Sequence, residues 1–228
     1  LDIGCPEGGV VLDLFAGSCY LAHAAFKYQA RTNKPTNCIS IQLPEIIDAG
    51  SVAYREGYKN ICEVGKERIR RAGNKVKADF PEFDGETGFK VYELSSSNIR
   101  AWDPDRTDLE ETLLTHKDHL IEGRSEQDVL YELLLKRGIE LTVPIEEKQA
   151  EGKTIYSIGY GVLFACLNTS IKADEVDAVA QGILDWHKEL EPETDTHVFF
   201  RDSAFDNDIA KTNMVAILEQ NGIHHVRS

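Results

Sequence analysis

Apolar positions fall into two different rhythms along the chain, and the change comes near residues 79–88. Upstream, Val10-Val11-Leu12-Asp13-Leu14-Phe15 is a short, nearly unbroken apolar run, the pattern of a parallel strand buried on both faces. A turn of small residues follows (Ala16-Gly17-Ser18), and then Leu21, Ala24, Ala25 and Tyr28 recur at helical spacing. Cys38-Ile39-Ser40-Ile41-Gln42-Leu43 predicts a second strand, closed by Pro44-Glu45. Strand, helix and strand in that order make a βαβ unit, the building block of a doubly wound α/β sheet. Asn60 with Glu63 three residues on predicts a capped helix start. Ile61, Gly65, Ile69, Ala72 and Val76 mark one face of that helix, and Lys66, Arg68, Arg70, Arg71 and Lys75 mark the other.

Residues 79–88, rich in Gly, Pro and acids, predict a domain boundary. The expected organisation is a domain over 1–80, a linker over 81–88 and a second domain over 89–228. Phe89-Lys90-Val91-Tyr92-Glu93-Leu94 alternates like a strand. Residues 108–121 and 126–137 read as helices, the second closed by Gly138. Strands are expected over 139–145, 154–158 and 162–167. A helix then carries Val176, Val179, Ile183, Trp186 and Leu190 on one face. A strand at 197–200 and a helix over about 206–221, stopped by Gly222, complete the pattern.

Composition narrows the partners more than the fold. The chain has 228 residues, a length for about one or two domains, and a net charge of −14. That charge opposes nucleic-acid binding except through a local basic patch or through parts outside this chain. No segment is long and apolar enough to span a bilayer, and none has the form of a signal peptide. Opening on Leu1, with Met214 as its one methionine, the chain reads as a piece of a longer protein. The five cysteines are odd in number and lack metal-ligand spacing, which suits reduced thiols.

The chemistry concentrates after the first strand. Gly17 lets a ligand approach the backbone, and the loop N–H groups and the following helix start are donors. Asp13 lies at the carboxyl end of the strand, where open α/β sheets bind ligands. Phe15, Gly17 and Ser18 line a pocket or simply make the turn. Cys19 is either a reactive thiol or a small loop residue. His23 is assigned to packing or solvent, the basic helix face to solvent before phosphate, His224-His225 to the surface and Trp186 to the core.

These residues resemble a known family. Asp13-Leu14-Phe15-Ala16-Gly17-Ser18, Ala22-His23-Ala24, Ile41-Gln42-Leu43-Pro44-Glu45 and Lys66-Glu67-Arg68-Ile69-Arg70-Arg71-Ala72 occur in the order found in the modification (Mod) subunit of type III restriction–modification systems. Val198-Phe199-Phe200-Arg201-Asp202-Ser203-Ala204-Phe205 and Lys211-Thr212-Asn213 resemble that family's C-terminal domain more diffusely. Those proteins are similar to β-class adenine-N6 DNA methyltransferases. The resemblance implies a partial Rossmann-like S-adenosylmethionine-dependent methyltransferase sheet followed by a smaller α+β C-terminal domain. It implies S-adenosylmethionine as cofactor, bound by Asp13, Phe15, Ala16, Gly17, Ser18, Gln42 and Glu45, with Glu45 on the ribose diol. It also implies DNA and a restriction (Res) subunit as partners of the intact protein, a homodimer, a prokaryotic cytoplasmic setting, and neither metal nor membrane.

The chain departs from the family in two places. Cys19-Tyr20-Leu21 stands where the family has Gly-Thr-Thr, and cysteine for the second glycine is expected to be sterically mild. The catalytic (Asp/Asn/Ser)-Pro-Pro-(Tyr/Phe) tetrapeptide does not occur, and Asp103-Pro104-Asp105-Arg106 reads as a turn. Base flipping and methyl transfer need a polar and aromatic clamp on the target amine, so this chain alone is expected to be inactive and to hold no catalytic residue. The alternative is a non-catalytic dimerisation or restriction-subunit docking module. A nicotinamide-dependent dehydrogenase is disfavoured because the loop lacks the full Gly-x-Gly-x-x-Gly pattern.

Overall fold

The structure, a computed structural model, describes residues 4–99 and 120–228. The expected helix over 108–121, but for its last two residues, and the turn at Asp103–Arg106 lie outside the described residues. The chain forms two compact units, Leu1–Tyr92 and Glu93–Ser228. The second is the larger of the two, against the expectation of a smaller C-terminal domain. Together they make a mixed α/β protein with a two-stranded and a five-stranded sheet.

In the first unit, β1 (Val10–Asp13) pairs in parallel with β2 (Asn37–Ser40), with Val10 opposite Asn37 and Asp13 opposite Ser40. The connection is α1 (Tyr20–Thr32), a crossover of the expected kind. After a short helix α2 (Val52–Arg55) comes α3 (Ile61–Asp79). Asn60 caps α3 as expected, its side chain accepting a hydrogen bond from the Glu63 N–H at 3.0 Å. Ala22, Ala25 and Tyr28 of α1 and Gly65, Ile69, Ala72 and Val76 of α3 are buried. Cys38, on one face of the strand pair, packs against the cluster of Ala16, Cys19, Ala22 and Ile69. Val10, Leu12 and Ile39 face the other way and, with Leu14 and Ile41 just past the strand ends, are exposed, so the strand is not buried on both faces as its apolar run predicts.

The second unit is a five-stranded sheet in the order β3-β4-β5-β6-β7. Strands β3 (Ile145–Ala150), β4 (Lys153–Ile158) and β5 (Leu163–Cys166) form an antiparallel meander. Strands β6 (His197–Phe200) and β7 (His225–Arg227) continue in parallel from β5. The parallel connections run through α5 (Val176–Leu190) and α6 (Asp208–Gln220). Ahead of the sheet lies α4 (Glu126–Lys136), opened by a capping box between Ser125 and Asp128.

Strand periodicity explains how this sheet is covered. Ile155, Phe164, Cys166, Val198, Phe200 and Val226 join the core built with α5 and α6. Tyr156, Ile158, Leu163 and Ala165 join a second core with Leu130 and Leu134 of α4. The sheet is therefore packed on both faces.

Three elements differ from the sequence pattern. Residues 89–94 form no strand, because alternation alone supplies no neighbouring ladder. The strand expected over 139–145 begins only at Ile145, just after Pro144, which has no N–H to give to a ladder. Ile139, Leu141 and Val143 instead pack as turns against the second core. His225 belongs to an edge strand, its ring stacked on His197 with centroids 4.6 Å apart.

Candidate cofactor cradle

The loops after β1 and β2 are stitched together. The Ile41 N–H donates to the Asp13 carbonyl (2.8 Å), and the Ala16 N–H donates to the Ile41 carbonyl (3.1 Å). The Gly17 N–H donates to Gln42 Oε1 at 2.7 Å. Gln42 in turn gives its Nε2 proton to the Leu43 carbonyl, and the Cys62 thiol donates to the Gln42 carbonyl. Asp13, Ala16, Gly17 and Gln42 thus converge at the carboxyl ends of the two strands. Gly17 has φ +51°, and a Cβ built there would meet nothing within 4 Å, so the backbone is open on that side.

The remaining candidates stand differently. Phe15 is 90% exposed. Ser18 is half-buried and Ala16 is buried, so Ala16 contributes packing. Glu45 has an exposed side chain, while its backbone carbonyl accepts from the Ile61 N–H at 3.0 Å and anchors the start of α3. Three loop N–H groups expected as ligand donors are used internally: those of Ala16, Gly17 and Cys19, the last bonded to the Ala16 carbonyl at 2.7 Å.

Cysteine at position 19 is not a mild replacement for glycine. Its backbone is left-handed, with φ 58° and ψ 43°, and it precedes α1 without a side-chain cap. That region costs a residue with a Cβ about 1–2 kcal/mol. Gly65 of α3 makes the room, since a Cβ on Gly65 would lie 2.7 Å from Cys19 Sγ. Burial raises the Cys19 thiol above its ordinary pKa, with the neighbouring Cys62 adding to it. Cys38 is raised by burial as well. Both stay protonated at neutral pH, so neither is an activated thiolate.

The arginine-rich helix face is largely neutralised along α3 itself. Lys66 pairs with Glu63, Arg70 and Arg71 with Glu67, and Lys75 with Asp79. Arg68 has no such carboxylate: its Nε is buried without a hydrogen-bond partner among the described residues, as is Nε2 of His23 on α1. Periodicity placed His23 and Arg68 on their helices but could not report an unmet hydrogen bond. The Gln42 bridge was equally invisible, because a polar strand end does not say which N–H it will take.

No family model matches the chain. It is 32% identical over 155 residues to the type III restriction-modification enzyme EcoP15I Mod subunit of Escherichia coli, covering 67% of this chain and 22% of that protein. It is 30% identical over 159 residues to the EcoPI Mod subunit of Escherichia phage P1, 68% of this chain and 24% of that protein. With the StyLTI Mod subunit of Salmonella typhimurium it shares 29% identity over 103 residues, 45% of this chain and 16% of that protein. The chain is a relative of the Mod subunits of type III restriction–modification enzymes, and it spans about a fifth of the length of those it matches.

Proposed function

We propose that this chain carries the cofactor-binding part of a site-specific DNA adenine-N6 methyltransferase, on a Rossmann-like sheet begun by β1, α1 and β2. The observation that carries the reading is the joined pair of strand ends: Asp13, the open Gly17 and Gln42 meet where a βαβ unit offers its ligand site. The residues suit S-adenosylmethionine. Asp13 gives a carboxylate toward a cationic ligand, and the exposed Phe15 ring gives a stacking surface. Gly17 and Ser18 let the ligand lie against the backbone, and the free Glu45 carboxylate has two oxygens for a ribose diol. When bound, S-adenosylmethionine supplies an electrophilic methyl group. Holding and polarising the target amine falls to the Pro-Pro-containing tetrapeptide, which this chain lacks.

In this reading the intact protein methylates adenine in DNA as a homodimer, works with a restriction subunit, and does so in the prokaryotic cytoplasm. The chain alone transfers no methyl group. Titration calorimetry with S-adenosylmethionine tests the cradle. Glu45→Ala is expected to weaken binding by about 1.5–3 kcal/mol, the worth of a hydrogen bond to a charged group. An unchanged dissociation constant for that variant counts against its role, and labelled methyl transfer to duplex DNA by this chain alone overturns the division of labour.

A second reading makes Glu93–Ser228 a dimerisation or docking module. It is favoured by that unit's two-sided core, which is built wholly from its own residues. Light scattering on the chain and capture by a restriction subunit distinguish the two readings.

A further inference from the structure

The basic helix α3 spends its carboxylates unevenly. Lys66, Arg70, Arg71 and Lys75 meet Glu63, Glu67 or Asp79, whereas Arg68 has no ion-pair partner among the described residues and its Nε is buried. Cys19, just before α1, and Gly65 of α3 are in close contact, since a Cβ on Gly65 would lie 2.7 Å from Cys19 Sγ. One turn beyond that point lie His23, four residues after Cys19, and Arg68, three after Gly65. Lys27 follows His23 by another turn on the same face of α1, and Lys75 follows Arg68 by two turns on α3. Lys27, Arg68 and Lys75 all depress the protonation of His23, after burial itself.

Two features of this seam call for a ligand. His23 Nε2 and Arg68 Nε are buried with no hydrogen-bond partner among the described residues. Unmet buried donors are rare in folded proteins. They also sit among like charges: Lys27 is exposed and unpaired among the described residues, and only Lys75 has an acid, Asp79 at 3.2 Å. We propose that the α1–α3 seam, with His23, Lys27, Arg68 and Lys75, is a binding site for an oxyanion of the phosphate class. The cations and the imidazole stand on two packed helices, α1 and α3, and an oxyanion with acceptors on each of its oxygens can meet both. The proposal does not depend on the cofactor reading.

Equilibrium dialysis of the full chain against labelled inorganic sulfate, at ionic strength fixed with chloride, tests this. One saturable site is expected. Arg68→Gln is expected to weaken it about tenfold or more, the loss of a charge-assisted contact. Lys27→Gln, at an exposed position that leaves the helix packing intact, is expected to weaken it by several-fold. Sulfate affinity is expected to rise as pH falls below the ordinary histidine range, because the anion favours protonated His23 against Lys27, Arg68 and Lys75, which hold its protonation down, with the Tyr20 ring as its other neighbour. A fluorescent DNA duplex forms the second arm. Duplex binding that falls with Arg68→Gln assigns the site to nucleic-acid phosphates, and sulfate binding without duplex binding assigns it to a free phosphate-class anion. Absence of saturable sulfate binding, or unchanged affinity in Lys27→Gln and Arg68→Gln alike, overturns the proposal.

Discussion

The two units treat the faces of their strands in opposite ways. In Glu93–Ser228, Phe164 and Cys166 point into one core while Leu163 and Ala165 of the same strand point into another. In Leu1–Tyr92 the strands are also apolar on both faces, yet Leu12 is 53% exposed and Ile41 50%. Parallel strands are ordinarily covered on both faces. Each fully buried large aliphatic side chain is worth about 1.5–3 kcal/mol, and the five on the open face of β1 and β2 leave much of that unrealised. The same residue types therefore yield a self-sufficient core in one unit and a half-covered layer in the other. The lesson is that an apolar strand records where a partner layer belongs, and the layer need not come from nearby sequence.

The sharpest way to break this comparison is to damage the better core. Phe164 is fully buried and lies 5.6 Å from the Trp186 ring, centroid to centroid. Phe164→Ala is expected to cost the second unit about 3–5 kcal/mol, read from Trp186 fluorescence during denaturant unfolding. A loss near 1 kcal/mol would show that this core is looser than its packing.

Hydrogen exchange compares the units directly. Amides of residues 10–43 are expected to exchange about a hundredfold faster than those of residues 154–220, because few buried contacts oppose local opening there. Equal, strong protection in a monomeric sample would mean that the half-covered layer is self-sufficient.

Within the first unit, Gly65→Ala is expected to destabilise by about 1–3 kcal/mol through overpacking against Cys19. The penalty should shrink in a Cys19→Gly background, giving a coupling energy of about 0.5–3 kcal/mol in a double-mutant cycle. Additive effects would remove Cys19 as the cause.

The smallest expected effect is acid-dependent and belongs to the second unit. Burial alone would raise the Glu132 carboxyl. The Ser97 hydroxyl, Lys136 and the Asn98 N–H outweigh it and hold the carboxyl down at about 2, from an ordinary 4.5. Because the folded state lowers this pKa, its contribution is complete above about pH 4.5 and is lost as pH falls toward 2. Glu132→Gln is expected to cost about 1–2 kcal/mol at pH 7 and to flatten the acid limb of a stability curve recorded across that window. An acid limb identical to that of the parent chain would place the acid sensitivity elsewhere.

What the sequence disclosed follows the same division. The stripe from Val176 to Leu190 and the strand His197–Phe200 were legible because burial imposes a period on them, the Val10–Asp13 run through its apolar residues, and the Asn60 cap through its side-chain chemistry. The edge strands were not. Ile145–Ala150 carries Glu146, Glu147, Lys148 and Gln149 in its middle, as edges that discourage further pairing do, so its pattern is nearly all polar. His225–Arg227 is too short for any period to register. At the candidate site, residue type revealed Asp13 and Gly17. It could not reveal the bond from Gly17 to Gln42, or that Cys19 occupies a backbone made for glycine.

The fit between Cys19 and Gly65 also sets an order on how such a sequence can change. With cysteine at 19, a methyl group at position 65 would lie 2.7 Å from the sulfur, so alanine there forces a shift. Glycine at 19 removes that sulfur and frees position 65 for alanine. Going from glycine at 19 with alanine at 65 to this pair avoids the clash only when position 65 shrinks before position 19 grows, and the return avoids it in the reverse order. The two positions lie 46 apart in the chain yet each limits what the other can be without strain.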